Sequence, residues 1–146
     1  MSESERLADA VSAFVRVFGL HRPEQTPCGF EAGVADAHAL RELAERPLRQ
    51  AELVIRLGLT KSTVSRLVDG LVERGWAERR AVSGDGRGVL VALTPDGGDA
   101  ARRLARARAA RMGTLLDAVP EDRRSDVIEV LELLEEAARA SDPRHA

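Results

Sequence analysis

Five polar side chains crowd the start of one helical stretch: Lys61, Ser62, Thr63, Ser65 and Arg66, directly after Leu57-Gly58-Leu59-Thr60. Their types suit one kind of chemistry. Short hydroxyls donate to phosphates and to either class of base, and an arginine fork matches the two acceptors of guanine. A helix N-terminus adds free N–H groups and a partial positive charge, both attractive to phosphate. Lys61, the sole lysine of the chain, stands at that terminus, where a cation disfavours an isolated helix and a bound polyanion would offset the cost. A second cluster follows, with Arg79, Arg80, Asp85 and Arg87 around the glycine-rich stretch 83–88. A tip of that composition can approach a narrow groove, where arginine is favoured. Arg49, Gln50 and Thr60 flank the first cluster and are expected to meet the sugar-phosphate backbone.

Other chemistries find little support in the chain. Glu24, Cys28 and His38 are mixed in type and share no fixed spacing, so no metal site is expected, and no cofactor either. The residues around Cys28 include Glu24, Glu31 and Asp36, whose charges would not stabilise a thiolate. The run Gly84-Asp85-Gly86-Arg87-Gly88 resembles a phosphate loop but lacks the Lys-Ser/Thr pair and the helix such a loop requires. Carboxylates are plentiful on solvated helical faces, and no Ser-His-Asp pattern is found. The chain does not read as an enzyme.

The elements that must position these residues follow from periodicity and punctuation. Leu7, Val11, Phe14 and Phe18 recur at helical spacing over residues 4–19, capped by Ser2 or Ser4 and stopped at Gly19. Residues 20–32, with two prolines, Cys28 and Gly29, read as a loop, and Val34–Ala44 as a helix ending before Pro47. Gln50–Leu57 and Lys61–Arg74 are two helices joined by a sharp turn at Gly58, with Leu59 as a buried pivot and Thr60 as cap. The second carries Val64, Leu67, Val68, Leu71 and Val72 as one apolar stripe. Trp76–Val82 and Val89–Leu93 read as a hairpin. Thr94-Pro95 opens a helix running to about Val119, and Pro120 opens a last one through Ala140.

Helix, sharp turn, helix and hairpin form a winged helix-turn-helix, in which the first helix braces a second that enters the major groove N-terminus first. The expected fold is mainly α with a small β-hairpin wing (α+β): one domain over 1–146, a winged helix-turn-helix core over about 34–93, and flanking helices over about 4–19 and 95–140.

Charge distribution agrees with this reading. The net charge is −2, yet residues 47–88 hold eight basic side chains against five acidic, between an acidic start and an acidic end. A basic middle suits a phosphate-facing segment. The single cysteine forms no internal disulfide, the polar N-terminus is no secretory signal, and no apolar run spans a bilayer. A cytoplasmic protein with no membrane partner is expected.

The stretch 48–98 resembles the MarR family of bacterial regulators. The resemblance rests on Leu57-Gly58-Leu59-Thr60-Lys61-Ser62-Thr63-Val64-Ser65-Arg66-Leu67-Val68, on Leu71-Val72-Glu73-Arg74-Gly75-Trp76-Ala77-Glu78-Arg79-Arg80, and on Asp85-Gly86-Arg87-Gly88 running into Leu93-Thr94-Pro95-Asp96-Gly97. It implies a homodimer, with Asp85 orienting Arg87 toward the minor groove and the terminal helices of two subunits interlocking. Phe14, Phe18, Leu115, Leu116, Val127, Val130, Leu131 and Leu134 are the candidates for that interface. It also implies two recognition helices about 34 Å apart on pseudo-palindromic double-stranded DNA, repression by occupancy, and release by a small-molecule effector. Phe14, Phe18, His38 and Arg41 are the candidate effector cleft, with Arg41 suited to a carboxylate. Two alternatives stand beside this reading: a winged-helix module that binds protein, and a redox- or metal-sensing regulator acting through Cys28.

Overall fold

The computed structural model describes residues 1–82 and 88–143. Asp85 and Arg87 therefore lie outside the described residues. Among the described residues six α-helices and three short strands follow one another: α1 (Glu3–Phe18), α2 (Val34–Glu45), β1 (Leu48–Arg49), α3 (Gln50–Leu57), α4 (Lys61–Glu73), β2 (Ala77–Ala81), β3 (Val89–Leu93), α5 (Pro95–Asp117) and α6 (Arg124–Ser141). The chain divides into two compact units, Met1–Arg108 and Ala109–Ala146.

Local chemistry sets the boundaries. Ser2 starts α1 with a reciprocal cap: its hydroxyl accepts from the Glu5 amide at 3.2 Å, and its own amide donates to the Glu5 carboxylate at 2.7 Å. The Ser2 amide first, and then the Ser2 hydroxyl donating to the same carboxylate at 2.9 Å, hold the Glu5 carboxyl below its ordinary pKa. The turn between α3 and α4 requires Gly58, whose φ of 64° is a left-handed conformation that side chains resist. Thr60 then accepts from the Thr63 amide at 3.2 Å and starts α4. Pro95 is the first residue of α5, and the Thr94 hydroxyl caps it by accepting from the Gly97 amide at 3.0 Å.

In the first unit, α2, α3 and α4 pack on a three-stranded antiparallel sheet of order β1-β3-β2. Leu40 and Leu43 of α2, Leu48 of β1, Leu53 of α3, Val64, Val68 and Leu71 of α4 and Val91 of β3 are buried together. Ala100 and Leu104 of α5 complete this core, and Phe30 brings in the segment before α2. Phe30 and Trp76 meet with ring centroids 5.8 Å apart. Side chains of this kind each contribute roughly 1.5–3 kcal/mol when buried.

Several expectations need correction. Leu48 and Arg49 form a third strand, paired to Val91 and Leu90, because the buried Leu48 sits opposite the buried Val91. Trp76 and Val82 lie outside β2. Val72 is exposed and falls off the α4 stripe, and Ala44 likewise points out from α2. Leu59 is half-buried. Pro120 leads first into a 3-10 turn, Glu121–Arg123, so α6 starts at Arg124. In the second unit α6 buries none of its residues. Among the described residues no helix is long and apolar enough to cross a membrane.

Candidate nucleic-acid interface

With Val64, Leu67, Val68 and Leu71 turned into the core, the opposite face of α4 carries Ser62, Arg66, Asp69 and Glu73. Its cations lie in the N-terminal half and its acids in the C-terminal half. The first turn contains no acid and the last turn no base. At the N-terminus that polarity opposes the helix dipole and costs stability in the free protein, while at the other end the cap residue Arg74 offsets Glu73. The polarity suits a helix whose N-terminal half meets a polyanion and whose C-terminal half points away from it.

Hydroxyl bonding organises the tip of α4. The Thr60 hydroxyl donates to Thr63 Oγ1 at 2.8 Å and lies 3.2 Å from Ser62 Oγ. Thr60 and Thr63 are thereby committed to shaping the turn. Lys61, Ser62 and Arg66 are exposed, and Ser65 is half-buried. Among the described residues neither Lys61 nor Arg66 has an ion-pair partner, so both charges are available.

The flanking candidates divide. Arg49 precedes α3 and sends its guanidinium to Gly88, where an added Cβ would come within 3.1 Å of Nη1. This brings Arg49 to the foot of the wing. Gln50 begins α3 and is half-buried. On β2 both arginines are already engaged. Arg79 Nη2 donates to Asp69 Oδ1 at 2.6 Å and lies 3.4 Å from the Ser65 carbonyl, and Arg80 pairs with Glu78 at 2.6 Å. Sequence reasoning missed Asp69. The bond from Asp69 joins a helix to a strand, and no spacing pattern announces it.

Of the residues assigned to an effector cleft, His38 and Arg41 share α2 and are joined electrostatically by Arg108 of α5. Partial burial and then the two arginines push the His38 pKa below its ordinary value, with Glu42 opposing. Burial and Arg41 likewise lower that of Arg108. Phe14 and Phe18 stack on one another along α1 with centroids 5.3 Å apart. The Cys28 thiol is half-buried against the core and donates weakly to Thr26 Oγ1 at 3.5 Å. Among the described residues no group of three or more His, Cys, Asp or Glu side chains could hold a metal ion.

Of the residues assigned to a dimer interface, Leu115 and Leu116 of α5 are half-buried, while Val127, Val130, Leu131 and Leu134 leave 36–53% of their surface exposed on α6.

Residues 33–88 match the family model of the MarR family. Among curated proteins no sequence matches the chain. Solved structures do. The PcaV transcriptional regulator from Streptomyces coelicolor, in complex with its natural ligand, is 26% identical, with a TM-score of 0.61 over 92% of this chain and 90% of that one. AbsC, a MarR family transcriptional regulator from the same organism, is 20% identical, with a TM-score of 0.74 over 97% and 98%. FabT from Streptococcus pneumoniae, in complex with DNA, is 19% identical, with a TM-score of 0.77 over 96% and 100%. The family model thus covers the helix-turn-helix and reaches the foot of the wing, while the shared fold extends along nearly the whole chain. Residues 33–88 thus match the MarR family, and the chain shares its fold with solved MarR family transcriptional regulators.

Proposed function

We propose that the chain is a sequence-specific DNA-binding regulator that acts as a homodimer on a pseudo-palindromic site and represses until a small molecule releases it. The observation that carries this reading is the reversed charge polarity of α4, with Lys61, Ser62 and Arg66 exposed on its N-terminal half. Ser62 and Arg66 would read base edges, Lys61 and the α4 N-terminus would hold phosphate, and Arg49 would reach the backbone beside the wing. The recorded DNA complex of FabT and ligand complex of PcaV support the two halves of the proposal by likeness of fold. The exposed apolar face of α6 supports assembly of two copies, since a face of that kind seeks a partner.

A protein-binding module would present an apolar or acidic face at α4, and the exposed residues of its N-terminal half are neither. The Cys28 alternative concerns only the signal and is dismissed by a Cys28→Ser variant that responds like the parent.

The test is to select duplexes from a random library with the purified full chain, then measure affinity over a salt series for the parent, Lys61→Ala and Arg66→Ala. Lys61→Ala should weaken all sequences alike and reduce the salt slope by about one unit. Arg66→Ala should relax discrimination at one base position. Failure to enrich any sequence, or indifference to both substitutions, would sink the reading.

A further inference from the structure

We propose that the Asp69–Arg79 pair is a positioning element that sets the wing against the recognition helix, and that Arg79 acts through this brace and not as a phosphate contact. The proposal rests on the DNA-binding reading above. Arg79 occupies the centre of β2, opposite the fully buried Val91 of β3, so its backbone is fixed by the sheet. Its guanidinium crosses to α4, where one nitrogen stands 2.6 Å from Asp69 Oδ1 and 3.4 Å from the Ser65 carbonyl. Ser65 and Asp69 lie one turn apart, on either side of Arg66 in the chain. The anchor therefore grips the very turn that carries Arg66, one of the two proposed reading residues.

Contacts one turn apart restrain both the distance of β2 from α4 and the rotation of α4 about its axis. The neighbouring Arg80 pairs with Glu78 of its own strand and supplies no such tie. A second consequence is electrostatic. Asp69 shares the outward face of α4 with Ser62 and Arg66, and its carboxylate would repel phosphate if it stood alone. Pairing with Arg79 cancels that charge.

The two roles for Arg79 make opposite predictions for Asp69→Asn. If Arg79 were a phosphate contact, the substitution would remove an acid and free a cation, and binding would tighten. If the pair is a brace, the variant gains favourable net charge yet loses discrimination. The experiment uses the full chain, a duplex that the parent selects from a random library, and a scrambled duplex of equal length, with thermal melting run in parallel. Asp69→Asn is expected to lower the ratio of selected to scrambled affinity roughly tenfold, the scale of one misread base pair. Affinity for the scrambled duplex should hold or rise. Arg79→Lys, which keeps the charge but not the planar fork, should lose the same selectivity. The swap Asp69→Arg with Arg79→Asp should recover part of it. Tighter binding of both duplexes by Asp69→Asn, or unchanged selectivity in Asp69→Asn and Arg79→Lys, overturns the brace and leaves the DNA-binding reading intact. Affinities for both duplexes that fall together with the melting temperature overturn it too, in favour of general destabilisation. A parent protein that selects no sequence removes both the DNA-binding reading and the brace.

Discussion

Gly97 of α5 lies so close to Trp76 that a Cβ there would come within 1.8 Å of the Trp76 carbonyl oxygen. That carbonyl also accepts from the Thr94 amide at 3.0 Å, and the Thr94 hydroxyl donates to the Gly75 carbonyl. The end of α4, the start of the wing and the start of α5 thus converge on one backbone junction, and only glycine fits at its centre.

Gly97→Ala should therefore destabilise by roughly 3 kcal/mol or more, since the obstacle is backbone and cannot swing aside. The adjacent Gly98 offers the control. A Cβ there meets only the Arg102 guanidinium at 3.7 Å, so Gly98→Ala should stabilise by up to about 1 kcal/mol through helix propensity. Urea unfolding of both variants checks the opposite signs.

Gly88 has φ of 92°, and a Cβ added there would come within 3.1 Å of Arg49 Nη1. Gly88→Ala should cost about 1–2 kcal/mol for the left-handed conformation. It should also displace Arg49 from the foot of the wing. DNA affinity is expected to fall to the level of Arg49→Ala, and the double variant should be little weaker than either single one. Additive losses in the double variant would show that the two residues act apart.

The helix-turn-helix was legible in the sequence because its signals are local: the stripe from Val64 to Leu71, the turn at Gly58 and the cap at Thr60 sit within a few residues of one another. The β2–β3 hairpin and the Thr94-Pro95 start were legible for the same reason. What escaped was set by partners distant in the chain. Leu48 and Arg49 are a strand only because β3 pairs with them. Val72 continues an apolar pattern, yet the core does not extend to its side of α4. Arginine in a basic cluster suggests a groove contact at Arg79, and its ion-pair partner Asp69, across the helix–strand boundary, leaves no local signal. Arg108 joined His38 and Arg41 only through the packing of α5.

His38 titrates below its ordinary 6.5 because burial, Arg41 and Arg108 disfavour the imidazolium. In the window between the lowered folded pKa and 6.5 the unfolded chain binds more protons than the folded one. The contribution of neutral His38 is thus fully present above 6.5 and is lost as pH falls through the folded pKa. Partial exposure keeps the effect modest. Stability of the parent should fall more steeply than that of His38→Gln as pH drops below 6.5. Parallel curves would show that His38 ionises freely in the fold.

Thr60 separates the stability of α4 from its proposed use. Thr60→Ala removes the cap and should cost about 1 kcal/mol, with a matching loss in DNA affinity as the Thr60–Thr63 bond at 2.8 Å disappears. Thr60→Asp keeps a good cap and adds a charge that favours the helix dipole, so its unfolding midpoint should equal or exceed that of the parent. The same carboxylate would stand where a phosphate is proposed to bind. Thr60→Asp should then bind DNA more weakly than the less stable Thr60→Ala, with the gap narrowing as salt screens the repulsion. Stability and affinity moving in opposite directions would place the α4 N-terminus against phosphate. Undiminished low-salt binding by Thr60→Asp would place it elsewhere, because a fixed negative charge in contact with the backbone cannot be neutral to binding.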